Sequence, residues 1–411
     1  MKQKRLYRTI ETVASKKFNN NNELLIEVVE QLLKNTEINI TGGRVWHLDI
    51  EKEGYSLVYQ TGNVQKIEVD FLLPLKDYPV LDLISIERTI LANETNKILQ
   101  KKGIFKYSAS GVGQRKKIAG KSYYEYLIAV NSDNIDDELR YTLNIVATVL
   151  TQKINERRLY DSRKNLIEDI DKAKELQKSI LPDHELNFHG YELFGVTIPA
   201  QTLGGDFFDY LRIGDDESRL GIAVGDAASK GLSAAAEAMY ISGALRMACT
   251  FQIKISPLFY RMNELINKIF SDDRFTSLFY AEISNDKKGL CLYANGGHNP
   301  PMLIRAKNKD IVYLDPTGPL LGPAPHSKYE TDSINFNKGD MLVIYTDGIV
   351  ESANEKFELY EERRLENVLK KNLHLSPREL CYAILDDVNV FSTSNSQYQD
   401  DKTIVVIKRK E

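Results

Sequence analysis

The stretch GGDFFDYLRIGDDESRLGIAVGDA, Gly204 to Ala227, decides how the second half of the chain folds. Its centre, Gly214 to Ser218, is a cluster of glycine, acidic residues and serine that signals a turn. On either side apolar residues recur at every second position, Phe208 and Tyr210 before it and Leu220, Ile222 and Val224 after it, the period of a half-buried strand. Two such runs around one turn predict an antiparallel hairpin. If the hairpin is centred on Asp216, Asp206 stands directly across from Asp226, and facing residues share one side of the sheet with Cβ atoms roughly 4.5 to 5.5 Å apart. Carboxylates that close repel, so either one keeps its proton or a cation lies between them. An all-oxygen donor set selects a hard ion such as Mg²⁺ or Mn²⁺ over zinc. The plainer alternative is that both aspartates are strand-end residues at a wet edge.

Two further segments repeat the layout. MLVIYTDG, Met341 to Gly348, is an apolar strand that ends in Asp347 before a glycine, which lets the chain turn away and leave the carboxylate at the strand end. QDDKTIVVI places Asp400 and Asp401 just ahead of another apolar strand. One aspartate before a glycine is usually a turn. The recurrence of an acid wherever an apolar strand meets a loop predicts that the acids gather at one end of a single sandwich.

Around these segments, from Pro182 onward, the texture is short strands broken by helices at SAAAEAMYISGALRMACTF and PLFYRMNELINKIF. Later strands are FTSLFYAEIS, GLCLYANGG, MLVIYTDG and KTIVVIKRK, with a further pair of helices between the last two. The expected fold class is α+β, with residues 182–411 forming a β-sandwich flanked by helices. Before it, Asp136 to Leu181 is helical in pattern and closes at Pro182. Ile145, Leu159, Leu166, Ala173 and Ile180 fall on one heptad seam, interrupted by Gln152. The seam reads either as an amphipathic helix laid on a neighbouring domain or as a parallel coiled coil that dimerises the chain, so residues 141–181 are assigned as a helical linker. Residues 1–140 read as helix (Glu23 to Asn35), strands (GRVWHLDI and YSLVYQ), a helix around ILANETNKILQKKG, and a strand from Tyr123 to Val130. That order resembles a GAF-type sensory domain.

Bulk properties narrow the function classes. The chain has 411 residues, long enough for two or three domains, with 42% hydrophobic and 27% charged residues, as expected of a folded protein. A net charge of −4 gives no reason to expect a nucleic acid or an anionic membrane as partner. No secretory leader or membrane span is legible, so a cytoplasmic location is expected. The three cysteines, Cys249, Cys291 and Cys381, sit far apart in apolar segments and read as buried thiols. The six histidines are scattered, which argues against zinc. His298, in GGHNPP, is read as bracing its loop.

The motifs GGDFFD, VGDAASKG, GGHNPP, YTDGIVES and DDKT, in this order, with ILPD at the start, resemble those of the metal-dependent phosphatases of the PPM (protein phosphatase 2C-like) superfamily, in its bacterial SpoIIE/RsbU-like branch. The resemblance covers roughly Leu181 to Lys410. It implies that Asp226 bridges two Mn²⁺ or Mg²⁺ ions, that the backbone carbonyl of Ala227 helps hold one of them, and that Asp347 and Asp400 ligate the other. Asp206 would act near the first ion, partly through water, and Asp401 would stand behind Asp400. The branch commonly shows GDVSGKG where this chain has GDAASKG, so Ser229 replaces a glycine in the loop that leads into the Ser233 helix. The implied activity is hydrolysis of a phosphoserine or phosphothreonine, on a phosphorylated STAS-domain anti-anti-sigma protein in a partner-switching pathway. The resemblance and the chain order together suggest a homodimer with an unknown ligand or protein acting on the N-terminal domain.

Two competitors are weaker. GGDFF echoes the GGDEF signature of cyclic-dinucleotide synthases, but Phe207 occupies the place of their acidic fourth residue, and the other carboxylate sites would go unexplained. A regulatory binding module with a catalytically silent phosphatase domain is the alternative of a different class.

Overall fold

The computed structural model describes residues 11–13, 15–34, 39–214, 218–270, 274–392 and 399–410. Contacts divide the chain into two compact units, Met1–Leu166 and Ile167–Glu411.

The first unit is built on a six-stranded antiparallel sheet: β1 (Gly42–Asp49), β2 (Gly54–Gly62), β3 (Leu72–Pro74), β4 (Thr89–Asn93), β5 (Lys106–Ile118) and β6 (Lys121–Asn131), in the order β3-β2-β1-β6-β5-β4. Its two faces carry different layers, because side chains alternate along a strand. Val45, Ile128 and Val130 pack against helix α1 (Asn21–Lys34) and the first half of the long helix described below. Trp46, Leu48 and Leu127 face the other way, toward α2 (Val80–Glu87) and the short α3 (Lys97–Lys101). The segment ILANETNKILQKKG, expected as one helix, is instead strand β4 followed by α3. Asn96 caps α3 by accepting from the Ile98 and Leu99 amides, and the residues before it take sheet geometry by pairing with β5. The end of the expected first helix, Asn35, lies outside the described residues.

Helix α4 runs unbroken over 44 residues, Asp137–Ile180, with Asp136 accepting from the Leu139 amide at its start. Its first half is laid on the sheet through Leu143, Val146, Ala147, Leu150 and Ile154, a stripe that leaves the seam residue Ile145 only half-buried. Further on, the seam residues Leu159 and Leu166 are 72% and 60% exposed.

In the second unit two antiparallel sheets face each other. One has the order β15-β12-β11-β10-β9, made of β9 (Phe207–Ile213), β10 (Arg219–Ala227), β11 (Thr276–Ser284), β12 (Leu290–Gly296) and β15 (Asp332–Asn335). The other has the order β14-β13-β16-β17-β8-β7, made of β7 (Glu185–Phe188), β8 (Tyr191–Ile198), β13 (Met302–Ile304), β14 (Ile311–Tyr313), β16 (Met341–Tyr345) and β17 (Lys402–Arg409). The inner faces meet in one core, where Phe208, Ile222, Val224 and Phe279 of the first sheet pack with Leu342, Ile344, Val405 and Ile407 of the second. Helices α5 (Leu232–Thr250) and α6 (Ile255–Ile269) cover the outside of the first sheet, and α8 (Glu361–Asn372) and α9 (Pro377–Phe391) the outside of the second, while the single turn α7 (Asp347–Val350) follows β16. All three cysteines are buried free thiols.

Candidate metal centre

The hairpin of β9 and β10 has the register expected from its alternation. Pairing runs from Arg219 opposite Ile213 to Gly225 opposite Phe207, and one further step along the same register places Asp206 opposite Asp226. The centre of the turn, residues 215–217, lies outside the described residues. Asp206 sits just before β9, Asp226 at the end of β10, Asp347 just after β16, and Asp400 and Asp401 just before β17. Since β16 and β17 are antiparallel, with Tyr345 opposite Ile404, the end of one strand and the start of the other lie side by side.

Hydrogen bonds tie the two sheets together at this end. Thr346 donates its hydroxyl to Asp206 Oδ2 at 2.7 Å and accepts from the Thr403 amide at 2.9 Å. The Asp401 carboxylate accepts from the Ala200 amide at 2.7 Å and the Gly205 amide at 2.6 Å, so it clamps the loop that carries Asp206. Glycines make the fit possible. A Cβ on Gly348 would stand 2.0 Å from the Asp401 carbonyl oxygen, and one on Gly205 would stand 2.9 Å from the Ala227 carbonyl oxygen.

The electrostatics are strongly one-sided. Asp206 is 2% exposed, and burial together with the neighbouring Asp226 charge pushes its carboxyl well above the usual range. Asp226 is pushed up to about 7 by burial and by the charges of Asp347, Asp400 and Asp401. Asp347 is pushed up to about 6 by burial, Glu351 and Asp400. Among the described residues, Lys230 pairs directly with this group, its ammonium 3.0 Å from Asp400 Oδ2 on a half-exposed carboxylate. The other four aspartates therefore all lie within electrostatic reach of Asp226. Among the described residues no three His, Cys, Asp or Glu side chains close around a single point. Carboxylate oxygens are nevertheless donors for a hard divalent ion, which is commonly held by one or two carboxylates and keeps several waters.

The loop from Ala227 to Leu232 is anchored by a residue whose role was not legible from spacing. Ser229 donates to Glu237 at 2.9 Å, and the buried Glu237 is paired with Arg274. The serine that departs from the usual glycine thus ties the loop to α5. His298 is buried, bonds Ser277 through Nδ1 and is held by Asn295 through the backbone; burial pushes it down to about 4, so it is neutral. Sequence reasoning also passed over Asp209, which is 1% exposed and paired with Arg246, and Gln177, whose side-chain amide donates to the Gly204 carbonyl at 2.7 Å.

Known proteins resemble the second unit. Residues 216–410 match the family model of stage II sporulation protein E (SpoIIE). The chain is 25% identical over 242 residues to the phosphoserine phosphatase RsbU of Bacillus subtilis (strain 168), covering 59% of this chain and 70% of RsbU. It is 24% identical over 399 residues to protein IcfG of Synechocystis sp., covering 88% of this chain and 56% of that protein. The phosphoserine phosphatase RsbP of B. subtilis is 23% identical over 191 residues, 46% of each chain. This chain thus spans about half the length of IcfG and RsbP. Among solved structures, the SiaA-PP2C domain of Pseudomonas aeruginosa superposes with a TM-score of 0.52 at 18% identity, over 60% of this chain and 98% of that domain, which establishes the fold. Residues 216–410 are accordingly similar to SpoIIE-type phosphatase domains, and the fold is that of the SiaA-PP2C domain.

Proposed function

We propose that the chain is a metal-dependent protein serine/threonine phosphatase that acts on a phosphorylated STAS-type anti-anti-sigma regulator in a partner-switching pathway, under control of its N-terminal domain. The observation that carries the catalytic part is the convergence of Asp206, Asp226, Asp347, Asp400 and Asp401, from four separate places in the chain, on one end of the sandwich with a single lysine among them.

Asp226, Asp347, Asp400 and the Ala227 carbonyl would hold two Mn²⁺ or Mg²⁺ ions, with Asp206 acting beside them. Such a pair of ions supplies charge neutralisation for a phosphomonoester and lowers the pKa of water enough to give a nucleophile at neutral pH. The chain's own residues supply the preorganisation. Thr346 fixes the Asp206 carboxylate, Asp401 holds the loop beneath it, and Lys230 stands at the exposed rim where an anionic substrate arrives. The substrate assignment draws on the two phosphoserine phosphatases among the relatives.

The control reading is motivated by α4. The helix begins in the first unit, and its last turns bond the glycine loop: Gln177 exchanges hydrogen bonds with Gly204, and Arg246 donates to the Ile180 carbonyl. Movement of that helix would be felt at Gly204, two residues from Asp206. The exposure of Leu159 and Leu166 supports pairing of α4 with a second copy.

Hydrolysis of p-nitrophenyl phosphate by the full chain with added Mn²⁺, compared with Asp226→Asn, tests the catalytic claim: activity in the wild type and loss in the variant are expected. Metal-independent hydrolysis, or a variant as active as the wild type, contradicts it. The control claim fails if a chain starting at Pro182 matches the full chain in activity under every condition.

A further inference from the structure

Arg44, on β1, is 2% exposed, one of the largest fully buried side chains in the molecule. Its Nη1 donates to Asn131 Oδ1 at 2.8 Å and its Nη2 to the Gln65 carbonyl at 3.0 Å. Both partners are neutral, and the buried Nε has no hydrogen-bond partner among the described residues. Burial pulls the guanidinium down to about 10, which still leaves it a cation at neutral pH. A buried charge without a counter-charge is strongly disfavoured, and an unpaired buried donor adds to the cost.

Beside this side chain the first unit is hollow. A small cavity of about 50 Å³ lies between one sheet face and the layer of α2 and α3. That is room for a few water molecules or a compact organic group. Its walls are apolar and aromatic, among them Trp46, Tyr78, Leu81, Ile84, Leu99 and Tyr107, whose hydroxyl donates to Glu94, and Arg44 and Asn131 supply the charge and the amide. No acidic residue is among the described lining residues. A partly open apolar space with one convergent cation and one amide is the arrangement that orients an amphipathic anion.

We propose that this cavity binds a small organic carboxylate with a compact apolar body, its carboxylate on Arg44 and Asn131 and its body against Trp46 and the α2 layer. A monoanion suits the site better than a phosphate, because one guanidinium and one amide cannot satisfy the oxygens of a dianion in apolar surroundings. The inference rests on the reading of the N-terminal domain as a sensor and names the chemistry it senses. It does not depend on the phosphatase.

Trp46 is the single tryptophan of the chain and lines the cavity, so its emission reports occupancy directly. The full chain is titrated with isovalerate, benzoate and phenylacetate, with the amide of each, and with chloride and inorganic phosphate. At least one acid should give a saturable change and bind about ten-fold or more tightly than its amide, the effect of one charge-assisted contact. Arg44→Met, with its fold checked by circular dichroism, should erase that preference. The proposal is overturned if no acid in the set outbinds its amide, if chloride or phosphate gives the same response, or if a folded Arg44→Met binds the acid as tightly as the wild type. Should the variant fail to fold, the contrast between acid and amide in the wild type decides alone. Turnover is not read, so failure here leaves the catalytic reading untouched and the reverse also holds.

Discussion

The two units bury opposite uncompensated charges. In the first, a lone guanidinium lies in an apolar interior with only neutral partners. In the second, Asp206 and Asp226 lie at the rim of a sandwich with Asp347, Asp400 and Asp401 nearby and one surface lysine for balance. Burial raises the cost of each charge. The comparison teaches that an interior charge without its opposite marks a place where something from outside the chain completes the structure, an anion in one unit and cations in the other.

The largest expected effect tests the anionic side. Asp226→Asn should lower metal-dependent turnover by about 10³-fold or more, because several kcal/mol of charge stabilisation is lost at 1.36 kcal/mol per decade. Single-turnover kinetics with a phosphopeptide measures it, and a loss below ten-fold would break the assignment.

Next comes stability without metal, where both sides of the comparison make the same forecast. Asp226 has its folded value pushed up to about 7 from an ordinary 3.8. Between those two values the unfolded chain ionises while the folded one keeps its proton, so this group's contribution to stability falls as pH rises through that window and is at its worst above it. Asp226→Asn should therefore raise the metal-free unfolding midpoint more at pH 7.5 than at pH 5, and added Mn²⁺ should stabilise the wild type but not the variant. Arg44→Met, which removes the opposite charge, should leave the ligand-free protein equally stable or more so at either pH. Strong destabilisation by Arg44→Met would mean that the first unit meets its charge internally and would end the parallel.

A smaller effect sharpens the role of the supporting shell. Thr346→Val removes the donor to Asp206 while keeping shape, and should cost about 10- to 100-fold in activity or apparent metal affinity, as for partners that orient a ligand. The smallest is at Lys230. Lys230→Met removes a half-exposed competitor for Asp400, and should tighten Mn²⁺ binding by no more than about five-fold, the size of a surface ion pair. Weakened metal binding in that variant would show that the lysine organises the site rather than competing for it.

How much of this was legible beforehand differs along the chain. The β9–β10 register could be read because a two-residue period leaves no freedom once the turn is located, and the observed pairs obey it. Helices α5 and α6 fall within about two residues of their expected ends. In the first unit β5 was missed, because KYSASGVGQRKKI is rich in glycine, serine and basic residues and becomes a strand by pairing on both sides, with β4 and β6. Asp209 was passed over since its partner Arg246 is 37 residues away on a helix. Adjacent Asp400 and Asp401 have the same local signature, yet one faces Lys230 and the other clamps the Gly205 loop.

By itself the sequence determined the strand period, the glycine-flanked acids and the family of motifs, since these are local and each residue carries its own signal. Only the tertiary structure decided that the carboxylates share one end of the sandwich and that Arg44 faces a cavity without an acid. Burial and charge proximity are properties of neighbours brought together by folding, and they have no representation in the order of the residues.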